Sequence, residues 1–336
     1  MKKISLGVLS LILSLGIISC VKTEKNAEST SDSKVVKIGI TKIIQHPALD
    51  AIEEGIMEVI QEAGYEALFD LQNANGDLNT ASQIANKFKS DKVDVSVGIA
   101  TPVAVALANT IKDKPVVFAT VTDPIGAGLV SSLDKGEGNV TGLSDAVPTR
   151  EHIQLLKEIT DLKTLGYIYT TKEANSISSL ELVESACKEF GIALVTQGIS
   201  LSSEVKQAAD AIVDRVDALY LTTDNTVFSA LASITQVFGK AKKPIFASDV
   251  TAALDGGCLI ASGFNYYKAG RATGEMVVQI LEGANPDTMP VRFMTDPSDT
   301  DLLFDLDVAK ACGIDIPEKY LTMANYIFEK GELHEK

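Results

Sequence analysis

Nine residues carry the chemistry this chain can offer: Gln45, Thr101, Thr120, Thr122, Glu173, Asn175, Asp224, Asn225 and Asp249. Each stands just after a short apolar run, where a strand gives way to a turn or to the start of a helix. Thr101, at a helix start, combines a hydroxyl with first-turn amides that have no carbonyl partner, a set that suits an anionic group. Thr120 and Thr122 end the neighbouring apolar run. Asp224 and Asp249 suit a cationic group, since a charge-assisted hydrogen bond is roughly twice as strong as a neutral one. Glu173 and Asn175 follow one strand and Gln45 follows another, on the same expected rims. Each has a plainer reading: Thr and Asp at helix starts cap free amides, His46 suits a cap, and Asp123 before Pro124 suits an Asx turn. The set is one for holding a molecule. No residues assemble a nucleophile, its base and an orienting partner, no GxSxG elbow or GxxxxGK[ST] loop occurs, and GEGNVTG (136–142) is too poor in glycine for a dinucleotide fingerprint. His46, His152 and His334 stand in unrelated contexts, so no metal constellation is expected. We expect no cofactor and no enzymatic activity.

A repeated layout positions these residues. VDVSVGIATPVAVALANT from Val93 leads to KPVVFATVTDP from Lys114, and VDALYLTTDNTVFSALAS from Val216 leads to KPIFASDV from Lys243. Both copies read as strand, polar turn, helix, Lys-Pro, strand and polar tip. The rest follows the same alternation: strands over 35–41, 67–72, 93–99 and 116–120 with helices between them, then strands over 165–169, 193–199, 218–221, 245–247 and 259–263 with their own helices. Such alternation predicts βαβ units, right-handed crossovers and parallel sheets. Runs such as VVFA and ALYL are apolar throughout, as in sheets covered on both faces. The expected fold class is α/β, with two Rossmann-like lobes joined by a three-crossing hinge near 142–148, 262–265 and 295–301. Lobe 1 is expected over 35–143 plus 263–285 and lobe 2 over 144–262 plus 286–330. Ligands of open α/β sheets sit beyond the carboxyl ends of the strands, so two such rims facing each other would form a cleft.

Length and charge bound the class. At 336 residues, 46% hydrophobic and 22% charged, the chain is long enough for two globular domains. A formal net charge of −15 argues against nucleic acid and anionic membrane surfaces as partners. Residues 1–19 read as a signal peptide: Lys2 and Lys3, an apolar run too short for a comfortable membrane span, then Ile17-Ile18-Ser19 before Cys20. This end resembles a bacterial lipobox, which implies lipidation of Cys20, although Ile18 stands where a small residue is usual. Residues 20–34 are polar and without periodicity, a tether. Of the other cysteines, Cys187, Cys258 and Cys312, an odd number without CxxC spacing, the expected state is a buried thiol.

Longer phrases carry a resemblance. HPALDAIEEGIMEVIQEAGY, GIATPVAVAL, FATVTDPIGAGLV, NVTGLSD, NTVFSAL, SGFNYYKAGRATGEM and ACGIDIP together resemble the lipoprotein substrate-binding proteins of an ABC transporter group that includes binders of tryptophan and other aromatic amino acids. The resemblance covers about 35–321. It implies a type 1 periplasmic-binding-protein fold, hinge closure on an amino acid, an ABC permease with its ATPase as partners, and an extracytoplasmic, lipid-anchored location. An amino acid would place its carboxylate on the threonines and its ammonium on an acid, with Asp249 favoured over Asp224. Phe264 and Tyr266, at a lobe crossing, are candidates either for packing on an apolar ligand side chain or for hinge packing. The absence of Trp weakens a carbohydrate ligand, since sugars commonly stack on aromatic platforms. A receptor feeding a signalling partner is the alternative, and an enzyme on the same fold the more remote one.

Overall fold

The structure, a computed structural model, describes residues 35–336; the expected signal peptide, the Cys20 lipidation site and the tether lie outside them. The first lobe is built from β1 (Val35–Lys42), α1 (Pro47–Glu62), β2 (Glu66–Asn73), α2 (Leu78–Ser90), β3 (Val95–Ile99), α3 (Thr101–Thr110), β4 (Val116–Ala119) and β5 (Val140–Ser144). The second follows with α4 (Thr149–Ile159), β6 (Thr164–Thr170), α5 (Ala174–Phe190), β7 (Ala193–Ile199), α6 (Val205–Ile212), β8 (Ala218–Leu221), α7 (Asn225–Phe228), α8 (Leu231–Ala241), β9 (Ile245–Ala247) and β10 (Ile260–Phe264). The chain then returns to the first lobe for α9 (Tyr266–Leu281) and β11 (Arg292–Phe293). It ends in the second with β12 (Thr300–Asp305), α10 (Leu306–Cys312), α11 (Glu318–Met323), β13 (Tyr326–Glu329) and β14 (Glu332–Glu335).

Both sheets are wound the same way. The first runs β11-β5-β4-β3-β1-β2, and the second contains β10-β9-β8-β6-β7 before β12, β13 and β14 extend it. All pairings in the first sheet are parallel, as are those from β7 to β10 in the second. β12 is antiparallel to β10. The repeated stretches thus occupy equivalent places, β3 and β4 in one lobe and β8 and β9 in the other. Strand order reverses between β1 and β3 and again between β6 and β8, and a crevice opens at such a reversal.

Strand pairing sets where each sheet ends. β11 pairs with β5, so the first lobe extends past 285 to Phe293. β10 belongs wholly to the second sheet, so residues 263 and 264 do too. The β13–β14 hairpin carries the second lobe past 330.

Apolar cores lie behind the rims. β3 and β4 are buried along their whole length, as their uniformly apolar runs require. In the second lobe, Tyr167, Tyr220, Phe246 and Phe304 fill one face of the sheet and Ile212, Leu219, Ile234 and Phe238 the other. In the first lobe α1 and α9 pack at very short range. A Cβ on Gly270 would sit 2.4 Å from the Ile52 carbonyl oxygen, and one on Gly55 2.5 Å from that of Tyr267. Backbone faces backbone at both places, so no side chain can rotate away. Gly270→Ala is therefore expected to cost about 1–3 kcal/mol. Chemical unfolding checks this, and a variant as stable as the parent would refute the close helix contact.

Candidate functional site

The two rims meet across a narrow chamber of about 470 Å³ of atom-free space, mouth included. Its walls come from the tips of β1, β3, β4 and β5 on one side and of β6, β8 and β9 on the other, with Tyr266 from the head of α9. Cross-lobe contacts hold it shut. The Thr122 and Thr223 hydroxyls lie 3.0 Å apart and share a hydrogen bond. The Ser178 hydroxyl donates to Asp123 Oδ2 at 2.8 Å. His46 stands edge-on to Phe228, with ring centroids 6.2 Å apart. This is a closed arrangement of the lobes.

Thr101, Thr120, Thr122, Asn175, Asp224, Asn225 and Asp249 all line the chamber. Gln45 and Glu173 do not. Gln45 is exposed and donates to Asp50 outside the rim. Glu173 lies behind the wall, accepting from Asn225 Nδ2 at 2.7 Å and from the Thr226 hydroxyl at 2.6 Å. Its role is to hold Asn225 and the start of α7, and burial raises its carboxyl above the usual range.

Asp224 and Asp249 differ in what is left of their hydrogen-bonding capacity. Asp224 Oδ1 accepts from the Val227 amide and the Thr170 hydroxyl, and Oδ2 from the Thr170 amide and the Ser176 hydroxyl. These four bonds, at 2.6–3.0 Å, make it a cap and a strut joining β6, α5 and α7. In Asp249, Oδ1 accepts from the Thr251 amide and hydroxyl at 2.8 and 2.7 Å. Oδ2 lies 3.9 Å from His46 Nδ1, beyond hydrogen-bond range. That His46 nitrogen accepts the Ala48 amide at 3.3 Å, which places the proton of a neutral ring on Nε2. Asp249 thus presents one open carboxylate oxygen to the chamber. Burial pushes its pKa up, against the opposing pull of His46 and Thr251.

Asp145, on the first crossing between lobes, is a wall residue that the sequence reading missed. It is buried, accepts from the Thr122 hydroxyl at 3.1 Å, and is pushed up to about 6, chiefly by burial and further by Asp249. It directly follows β5, and Ser144-Asp145 is a strand tip of the same kind as Ser248-Asp249, a signal that could have found it. Ile44, Leu49, Phe228 and Thr223 were missed as well. Ile44, Leu49, Phe228 and Tyr266 make the apolar wall. The Tyr266 phenol is driven well above its ordinary value by burial and by the two aspartates.

On the α3 side, Ala100 and Thr101 line the chamber; Pro102 has no N–H and the Ala104 amide is bonded to the Ala100 carbonyl, so the first-turn amides left for a ligand are at most those of Thr101 and Val103. The backbone is strained there: Ala100 has φ 78° and ψ 156°, a region that is almost exclusively glycine's, and Thr120 has φ 53°. Strain of this kind persists where the surroundings over-determine it.

The chain belongs to the ABC transporter substrate binding protein family, whose model matches residues 37–327. It is 37% identical over 292 residues to a tyrosine-binding protein of Clostridioides difficile (strain R20291), covering 85% of this chain and 84% of that one. A solved ABC domain from Streptococcus pneumonia in complex with L-Trp is 33% identical and superposes with a TM-score of 0.83 over 88% of this chain and all of its own. The ligand-free, open structure of a substrate binding protein with adhesive properties from Clostridium difficile is 38% identical, yet its TM-score is 0.64, over 84% of this chain and 96% of that one. Better sequence agreement with poorer superposition is what a different angle between two similar lobes produces. The protein is thus a substrate-binding protein of two α/β lobes, with the fold of type 1 periplasmic-binding proteins.

Two outcomes follow from the site alone. Asp145 titrates near 6 folded but near 4 unfolded. Its protonated form is favoured by folding, so its stabilisation is complete below about pH 4 and is lost as pH rises through 6. Protein held in this closed arrangement should therefore melt higher at pH 5 than at pH 7.5, and Asp145→Asn should flatten that difference. A scan in which the parent and variant keep the same pH profile would refute it. Separately, Ala100→Gly should raise stability by about 1 kcal/mol by relieving the positive φ, measured by calorimetry without ligand.

Proposed function

We propose that this protein is an extracytoplasmic receptor of an ABC importer, anchored by lipid at Cys20, that closes on an aromatic or large apolar amino acid and delivers it to a permease. One observation carries the reading: the closed chamber has an open carboxylate oxygen on Asp249, amides and hydroxyls at the head of α3, and an apolar wall between them. That is the pattern of a zwitterion with an apolar side chain. The ammonium goes to Asp249 and the carboxylate to the donors of Thr101 and its helix start. Ile44, Leu49, Phe228 and Tyr266 cover the side chain. The tyrosine-binding relative and the L-Trp complex support the same ligand class.

The mechanism is closure about a hinge. Open, each rim is solvated. Closing removes water from Asp249 and Asp145, which is costly unless a cation enters with them. The ligand's ammonium offsets that cost, so the shut form is favoured when the chamber is full, and the permease reads the shut form.

Titration of the twenty amino acids with a thermal-shift readout tests the ligand class. Binding at a hundred times Kd should add about 2.7 kcal/mol of stability. Tryptophan binding would also be visible directly, because the chain has no Trp. A flat response to every amino acid would overturn the reading. Asp249→Ala is expected to weaken binding by about 2–5 kcal/mol, and unchanged affinity would remove Asp249 from the site. Cys20→Ala should move the protein from the membrane to the soluble fraction.

A further inference from the structure

Asn175 is the second residue of α5 and only 2% exposed. It lines the chamber, yet its side-chain carbonyl Oδ1 is buried with no hydrogen-bond partner. Other described side chains share that condition, among them Thr41, Ser96 and Ser248, but none of them lines the chamber. An unpaired buried acceptor is expensive, of the order of 1–3 kcal/mol, so a missing donor is the natural explanation.

The amide cannot simply turn over. Its Nδ2 donates to the Thr223 carbonyl at 2.9 Å. Flipping it would bring oxygen against oxygen and lose that bond. Oδ1 is therefore fixed as an acceptor that lacks a donor, while Nδ2 spends one of its two hydrogens on Thr223. A carboxylate has nothing to give such a group, and an ammonium does. The same Thr223 shares the cross-lobe hydrogen bond with Thr122, whose hydroxyl meets Asp145 at the first crossing. Asn175 thus sits at the polar end of the chamber, one residue removed from the contact that closes it.

We propose that Asn175 reads the α-ammonium of the ligand, accepting one of its N–H bonds while Asp249 Oδ2 takes another, and so makes the site selective for a primary amino group. The neutral amide supplies direction and the carboxylate supplies charge. Because Asn175 is held by Thr223, an ammonium seated there also favours the Thr122–Thr223 contact and hence the shut form. This inference rests on the amino-acid reading above.

The test compares L-tyrosine, L-phenylalanine and L-tryptophan with the aryl-propionates that lack only the amino group, by calorimetric titration of the parent protein, Asn175→Ala and Asn175→Asp. The parent should prefer the amino acids strongly, since a site built around a polar contact rejects the analogue that lacks it. In Asn175→Ala the ratio of amino-acid to des-amino affinity should fall at least about tenfold, mostly through weaker amino-acid binding. Asn175→Asp keeps one acceptor oxygen but sets the other against the Thr223 carbonyl, so it is read for amino-acid preference and not for full affinity, and its ratio should stay above the Ala variant's. An Ala variant that loses affinity equally for both ligand series, or loses it only for the phenol of tyrosine, overturns the inference. So does an Asp variant that shows no amino-acid preference, a comparison that stands even if Asn175→Ala fails to fold. Parent protein that binds none of the three amino acids would instead overturn the amino-acid reading.

Discussion

Closing two lobes over buried aspartates is the constraint on which the rest of this molecule depends. Asp249 and Asp145 lie in one desolvated space, where His46 of the other lobe comes within 3.9 Å of Asp249 Oδ2. His46 stands near Asp249 but spends its Nδ1 lone pair on the Ala48 amide. Two carboxyls buried together are electrostatically unfavourable as a charged pair, so a proton or a cation is needed to offset them.

The surrounding structure keeps the imbalance from leaking away. Asp224, equally buried, is neutral to the argument because Thr170, Ser176 and Val227 fill its oxygens. Glu173 is likewise occupied by Asn225 and Thr226. The remaining acids of the wall are thereby reduced to Asp249 and Asp145. Strain at Ala100 and Thr120 on the facing wall is part of the same arrangement, since both residues line the chamber where donors are needed. Donors and acceptors come from both lobes, and the closed arrangement brings them together.

Most of the fold was legible. The Val93 and Val216 repeats announced two similarly wound lobes, and strand tips ending in Thr101, Asp224 and Asp249 were readable because apolar runs of strand length followed by turn chemistry are local signals. Lobe limits were less so. β11 is two residues long, and nothing in its sequence says that it pairs with β5 rather than with the second sheet. Gln45 and Glu173 passed the same local test as Thr101, yet one turns outward to Asp50 and the other backward to Asn225.

What the sequence by itself determined is therefore which residues stand at strand ends, because that depends on neighbours a few positions away. What only the tertiary structure decided is which of their atoms remain open. Asp224 is filled by Thr170 and Ser176, 54 and 48 residues distant, whereas Asp249 is served by Thr251 two residues on and keeps one oxygen free. Asp145, Phe228 and Tyr266 enter the wall from a crossing, a short helix and a helix head that meet only when the lobes do. Rim membership is local, but hydrogen-bond saturation is a property of the assembled cleft.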